Sequence, residues 1–578
     1  MRKLLFLVGI FLIHFSSLAQ SDLDLWLWPN PGLPRNAASP LFQDSLSLRP
    51  FEVHNPIYLP NRINEPLSKQ YQFDLPEGNS EMEFWFFEHG NEPIGLELFV
   101  GNQVLLGLWN HQWQLGNAVA SQQKWNKRFT HLVIQRQANT WTFWENGKLI
   151  RTQDLVSNSD QLYIQSYLQQ EPYFNLDHWI KHLAIKANIS NESEIQKSFL
   201  AHQEWTQEGI RIPGKLHFVA EPYLYAPDAE SMNITVETNE KSNLFIQVGE
   251  SIPFMNKPSP APGTEGVQTF ELKGLKAGIQ YFYQIKGKNQ AGEEIDSGVL
   301  TFKTPEPAEN PILFGVVSDT EARPWVNEQI GQKLWEERVD FVIHMGDITD
   351  GGKENNKFEW TQEFFPGSSA LFSRITHVPV AGNGEGDIFW YKYYHPQANE
   401  LGAYRYSNGP GDFYVLNSNE MDELQPGGAQ YEWLKTQLQQ NKADWKFVQM
   451  HHAPYSSDEN DYGNTWEGSS TWGNRKLQPL LRLLEQEGVD VMFFGHLHTY
   501  MRTFPLFEDQ VDEEKGIHYI QLGGMGGNLE DFAPARPHFS TKNFRGFHYG
   551  VVALTSHKFE LKVYNADGSL IDLMEIEK

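Results

Sequence analysis

Four short apolar runs in the C-terminal half of the chain each run directly into side chains that bind cations. Val316-Val317 leads into Ser318-Asp319, and Met345-Gly346 into Asp347. Phe447-Val448-Gln449-Met450 leads into His451, and Phe494-Gly495 into His496-Leu497-His498. Ile312 to Val317, Val339 to Ile343 and Val489 to Phe494 are near-continuous apolar stretches, the pattern of strands buried on both faces. Trp325 to Arg338, behind Pro324, has helical spacing, and Lys476 to Gln486 carries an apolar stripe. Strand, helix and strand in alternation predict an α/β core over 311–578. The ends of such strands converge on one side of a sheet, where α/β proteins place their sites.

With Asn383, which follows Gly382 between the second and third runs, these ends supply Asp319, Asp347, Asn383, His451, His496 and His498. Taken singly each has a bland reading. An Asp after an apolar strand usually caps a turn, and an Asn beside a Gly usually makes one. The ordered set is harder to obtain by chance. Carboxylate and carbonyl oxygens suit hard divalent ions and imidazole suits borderline ones, so the six suffice for two cations. A carboxylate shared between the two is expected, and Asp347 is the choice.

The series SDT (318–320), GDITD (346–350), GNGE (382–385), VQMHH (448–452) and GHLH (495–498) resembles the five metal motifs of purple acid phosphatases, and more broadly those of calcineurin-like metallophosphoesterases. GAQYEWL (428–434) and HTYMRTFP (498–505) extend the similarity through the C-terminal domain. The resemblance implies a first metal held by Asp319, Asp347 and His498, and a second held by Asp347, Asn383, His451 and His496. It implies two divalent or di/trivalent ions drawn from Fe, Mn, Zn or Mg, a phosphate ester substrate, and metal-assisted attack of water on phosphorus.

Three positions depart from that pattern. Asp350 stands where purple acid phosphatases carry the Tyr that colours them. Gly384 replaces the His of the Gly-Asn-His motif. Glu321 stands where other metallophosphoesterases carry Asp-x-His, and is expected either to complete the first metal's sphere or to be a solvated loop residue. With no imidazole at 384, the candidate acids for the leaving group are His452 and Glu385. For His452 a packing role is the competing reading.

The rest of the chain reads as β structure. Over 46–205, short alternating runs (Glu81 to Phe87, Ile94 to Val100, His131 to Arg136, Thr140 to Trp144) are separated by turns, with Asn146-Gly147 as a hairpin signal before Lys148-Leu149-Ile150. The segments 130–150 and 182–203 resemble a laminin G-like, concanavalin-type jelly roll, which implies a glycan as one partner. Residues 215–305 carry strand-like runs at Met232 to Glu237, Ser242 to Val248, Gly266 to Leu272, Tyr281 to Lys286 and Gly298 to Phe302. They resemble a fibronectin type III-like sandwich of the kind that precedes purple acid phosphatase catalytic domains. The expected order is therefore a jelly-roll sandwich, a second β-sandwich, then an α/β metallophosphoesterase sandwich over 311–578.

Residues 1–19 read as a signal peptide, with Arg2 and Lys3 before the apolar run Leu4 to Phe15 and small residues at 17–19; 20–45 is a Pro- and Asn-rich lead-in. No other long apolar run suggests a membrane span. The expected location is secreted or periplasmic, and the absence of Cys excludes disulfides and thiolate metal sites. A net charge of −27, from 46 basic and 73 acidic residues, argues against nucleic acid as a partner. The leading expectation is a phosphate monoesterase of acid phosphatase type. A phosphodiesterase on the same site is the second, and a glycan-binding surface protein with a degraded phosphatase domain is the third.

Overall fold

The structure is a computed structural model. It describes residues 12–15, 23–27, 69–88, 95–101, 103–109, 112–115, 118–119, 130–155, 160–167 and 178–208, and all of the chain from 216 except 322, 355, 358, 464 and 466–469. The signal peptide and lead-in therefore lie outside the described residues, apart from two strands, Leu12–Phe15 and Leu23–Leu27. The chain divides into two compact units at Thr206 and Gln207.

The first unit is built of a seven-stranded and a six-stranded sheet, antiparallel except where Leu12–Phe15 pairs with Lys69–Asp74. Thr140–Glu145 and Lys148–Asp154 form the expected hairpin. Asn146 and Gly147 take φ of 48° and 75°, the two left-handed positions a type I′ turn demands. Trp85, Trp141 and Trp144 are buried, so these rings are core and not surface platforms. Helix Glu192–Glu208 starts with a reciprocal cap: Asn191 Oδ1 accepts from Glu194 N, and Glu194 Oε2 accepts from Asn191 N.

The second unit begins with a small β-sandwich. Phe218–Tyr225, Ser231–Thr238 and Val267–Lys273 form one sheet, and Ser242–Gly249, Gln280–Asn289 and three shorter strands form the other. This sandwich is not a free module. Its buried side chains, among them Ile234, Ile246 and Tyr283, belong to the same apolar cluster as Phe314, Phe447 and Phe493 of the α/β part. Glu237 seals the seam by accepting from Tyr393, Tyr394 and Lys357.

In the α/β part, Ile312–Val317 (β1), Phe341–His344 (β2) and Thr376–Pro379 (β3) run parallel, and β1 continues into three antiparallel C-terminal strands. Trp445–Gln449 (β4) and Val491–Phe494 (β5) lie parallel in a second, seven-stranded sheet. The sheets face each other through aromatic side chains, with Phe314 of β1 at 5.9 Å from Phe447 of β4 and 6.4 Å from Phe493 of β5, both edge-on. Helices cover the outside. Leu334 of Pro324–Glu337 lies over Gly315 of β1, and Leu434, Leu480 and Leu484 of two others cluster with Val448 and Phe494. The expectation of one sheet edge is thus refined: β1, β2 and β3 of one sheet and β4 and β5 of the other end at the same place.

Candidate metal centre

Each strand end leaves its sheet by a sharp turn that aims a side chain into the gap between the sheets. Asp319, Glu321, Asp347 and His496 all take positive φ (58°, 35°, 44° and 74°). These are four of the eleven such non-glycine residues described, a concentration of backbone strain typical of functional sites.

The turns bring the ligand-type side chains together in two groups. Asp347, His451 and His496 offer atoms within 4.8 Å of one another, and so do Asp319, Glu321, Asp347 and His498. Asp347 belongs to both. Asn383 is exposed and sets its Oδ1 2.9 Å from His451 Nε2. Glu321 is buried and lies 3.0 Å from His498 Nε2, so it stands in the first group and not in a solvated loop. Asp350 is half-buried and falls outside both groups.

The imidazoles are oriented from behind. His451 Nδ1 donates to Met345 O at 2.8 Å and His498 Nδ1 to Asn528 O at 2.5 Å, so each turns Nε2 inward. His496 does the reverse: Nε2 lies 3.3 Å from Asp461 Oδ2, while Nδ1 faces His451 Nε2 at 3.2 Å. Inward nitrogens then meet carboxylate and amide oxygens, acceptor against acceptor. Three buried carboxylates share the space. That donor set fits cations, which would satisfy every one of these atoms. In the chain alone a proton plays part of this role: burial opposes charge on His451, but Asp347 at 3.2 Å pushes its pKa up to about 9. Burial would also raise Asp347, yet His451 and the Gly384 N–H hold it well below the usual carboxylate range. Asp319 is shifted upward because burial outweighs His498 and His451.

The two candidate acids occupy different situations. Glu385 is fully buried. Its Oε1 accepts from Thr349 N at 2.9 Å, and its Oε2 from Gly382 N at 2.6 Å, while burial and Asp347 push its pKa up to about 8. Both oxygens are engaged inside the protein, which corrects the expectation of an acid facing substrate: Glu385 fastens the Asp347 turn to the Asn383 turn. His452 is held by Ser418, whose hydroxyl lies 2.8 Å from Nδ1 and accepts from the His452 N–H at 3.0 Å. Burial and neighbouring His451 lower its pKa to about 3, so the ring is neutral and offers an Nε2–H.

Gly384 explains the missing imidazole. Its N–H donates to Asp347 Oδ1 at 2.7 Å, and a Cβ there would lie 1.8 Å from Thr349 O. Backbone fills the place where a side chain would start. Several supports had no signal in the sequence: Asp461 behind His496, Ser418 behind His452, and Asn528 behind His498. Asn528 is held in turn by buried Arg323, which also bonds Gly526 O. Glu530, accepting from His498 N at 2.7 Å, is another.

Residues 312–500 match the family described as calcineurin-like phosphoesterase. Curated proteins similar to this chain include several purple acid phosphatases. It is 24% identical over 339 residues to a probable inactive purple acid phosphatase 27 of Arabidopsis thaliana, covering 50% of this chain and 54% of that protein. It is 27% identical over 304 residues to purple acid phosphatase 21 of the same plant, covering 49% and 64%. A nucleotide pyrophosphatase/phosphodiesterase of Hordeum vulgare is 24% identical over 328 residues, covering 48% and 87%. The chain thus spans roughly half to two thirds of the length of the first two relatives. The solved structure of a purple acid phosphatase from yellow lupin seeds superposes with a TM-score of 0.57 over 88% of this chain and 96% of that one, at 15% identity, a likeness of fold.

Proposed function

We propose that this chain is a metal-dependent hydrolase of phosphate esters, acting on monoesters. The observation that carries the reading is the single carboxylate, Asp347, common to two groups of metal-type side chains. A pair of cations bound there would supply Lewis acidity toward phosphoryl oxygens and a nucleophilic water at neutral pH. The protein's own part is positional. Asp319, Glu321 and His498 would hold one ion and Asn383, His451 and His496 the other, with Asp347 common to both groups of side chains. His452, with Nδ1 satisfied by Ser418, presents an Nε2–H that donates to a phosphoryl or leaving-group oxygen. Since Glu385 is sealed away and a neutral imidazole is a weak acid, esters with good leaving groups, such as aryl phosphates, are the favoured substrates.

The test is removal of metal by chelation, restoration with Mn, Zn, Fe, Mg or Co one at a time, and turnover of aryl mono- and diesters. Restored monoester hydrolysis that disappears in Asp347→Ala and Asn383→Ala is the expected result, and turnover that survives either substitution sinks the assignment. The barley relative's name supports a second reading, a phosphodiesterase on the same site, which the diester arm would reveal. Relatives named as probable inactive phosphatases support the third, a glycan-binding protein without turnover, for which the first unit is the glycan's place. Export by residues 1–19 is part of the proposal, and a cleaved N-terminus on the exported protein is its check.

A further inference from the structure

Strand His518–Leu522 is followed by a glycine-rich loop, Gly523 to Glu530, that packs between the turns carrying Asp319 and His498. Met525 N donates to Ser318 O at 3.0 Å and Gly527 N to Asp319 O at 2.8 Å, tying the loop to the turn after β1. Gly523 N donates to Thr499 O at 3.2 Å and Glu530 accepts from His498 N at 2.7 Å, tying it to the turn after β5. The approach is close enough to require glycine. A Cβ at Gly526 would lie 2.0 Å from Thr320 O, and one at Gly527 would lie 2.6 Å from the His498 ring.

Arg323 fastens this loop to the start of helix Pro324–Glu337, where it is 2% exposed. One guanidinium nitrogen donates to Gly526 O and another to Asn528 Oδ1, and the group lies 5.9 Å from the centre of the Phe547 ring. Burying a guanidinium is costly unless its donors are met. Its rigid fork reaches two acceptors at once, where an ammonium is a point charge. Asn528 is thereby held by its side chain while its main-chain oxygen accepts from His498 Nδ1 at 2.5 Å. That bond fixes the tautomer and ring orientation of His498. It leaves Nε2, 3.0 Å from Glu321 and 3.5 Å from Asp319, as the ligand atom. The other group is aimed by different partners, Met345 O behind His451 and Asp461 behind His496, neither of them in the loop.

We propose that Arg323 is a positioning residue that sets the affinity of one cation only, the one assigned to Asp319, Glu321 and His498, by way of Asn528. The inference rests on the two-ion reading above. It adds that the two ions have separate orienting supports, Arg323 and Asn528 for one and Asp461 for the other, although Asp347 is common to both groups.

The test uses the full chain, stripped of metal and titrated with Mn, with bound equivalents read by equilibrium dialysis and calorimetry. Two equivalents are expected for the wild type. Arg323→Met and Asn528→Ala should each leave one equivalent at its wild-type affinity and weaken the other about 10–100-fold. Asp461→Ala should also weaken a single equivalent, and Arg323→Met combined with Asp461→Ala should weaken both. A guanidinium that serves only the fold would leave both affinities unchanged or reduce both alike, and either result in folded Arg323→Met overturns the proposal. A double variant in which only one equivalent is weakened overturns it too. Should Arg323→Met fail to fold by circular dichroism, Asn528→Ala decides, because it removes the guanidinium's acceptor and keeps the carbonyl that His498 bonds. A wild type that binds no cation overturns the two-ion reading and this proposal together. Two equivalents indifferent to every variant overturn this proposal alone. None of these readouts depends on ester turnover.

Discussion

Acid should unfold the second unit through three imidazoles that take no part in holding metal. His344 Nδ1 lies 3.2 Å from His377 Nε2, and His377 Nδ1 lies 3.3 Å from His395 Nε2. The chain ends at Thr320, 3.4 Å from His344 Nε2, whose hydroxyl donates to Ile348 O and so accepts from the ring. At the far end of the row the His395 ring bonds to the Tyr391 backbone carbonyl. Around them lie Phe364, Phe372, Trp360, Tyr391 and Tyr223, and among the described residues no carboxylate is hydrogen-bonded to any of the three. Burial lowers His395 from 6.5 to about 3 against the opposing bond to Tyr391 O; burial and repulsion from neighbouring imidazoles lower His344 to about 3 and carry His377 well below its ordinary value.

The sign follows from which state takes up protons. The unfolded chain binds them near pH 6.5 and the folded chain only near 3, so stability is complete above 6.5 and falls as pH drops through that window. Between about pH 7.5 and about pH 5, each ring with a folded pKa near 3 removes about 2 kcal/mol, and the two together about 4 kcal/mol. That is a large share of the ~5–15 kcal/mol typical of a domain. Urea unfolding of the second unit, followed at fixed metal content across this range, reads the loss directly. Replacing His395 with Phe removes one titrating ring at the cost of its bonds to His377 and to the Tyr391 carbonyl. The variant should be less stable by about 1 kcal/mol at neutral pH and lose about 2 kcal/mol less than the wild type on acidification. Parallel pH profiles for the two proteins would refute the reasoning. If it holds, the second unit is at its most robust near neutrality.

Gly384→Ala places a methyl group against Thr349 O and should cost about 1–3 kcal/mol of stability together with bound metal, read by melting and by elemental analysis. Asp461→Ala frees His496 to turn, and metal affinity should fall about 10–100-fold in direct metal titration. Loaded with iron, the wild type should show no tyrosinate charge-transfer band in the visible spectrum, because Asp350 stands in the tyrosine's place. A coloured protein would mean that another phenolate reaches the metal.

The donors of the centre were legible because strand ends are local: an apolar run followed by Asp or His can be read without knowing what packs on it. Asp461, Ser418 and Asn528 could not be read this way. They come from irregular loops, and what aims them is the tertiary path of the chain, as with Arg323 reaching Asn528 across two hundred residues of sequence. The role of Glu385 was hidden for the same reason, since nothing in Gly-Asn-Gly-Glu says which way the carboxylate turns. In the fold, the buried strands were found but their starts were placed early: Val339 and Val489 lie two residues ahead of Phe341 and Val491, because apolar residues lead into a strand before its ladder begins. Phe218–Tyr225 escaped notice because Glu221 and Pro222 interrupt its apolar pattern. The sharing of the centre between two sheets required knowing strand order, which periodicity does not contain.

The close fit of Gly384 against Thr349 also limits what can stand there. A histidine cannot be placed at 384 by one substitution, because the Thr349 carbonyl occupies the position of its Cβ. The two turns would first have to move apart, and they are the turns that carry Asp347 and Asn383, fastened together by Glu385. A side chain at 384 would therefore disturb both groups of metal-type donors at once. Position 384 is thus closed to any side chain for as long as the two turns keep their present places.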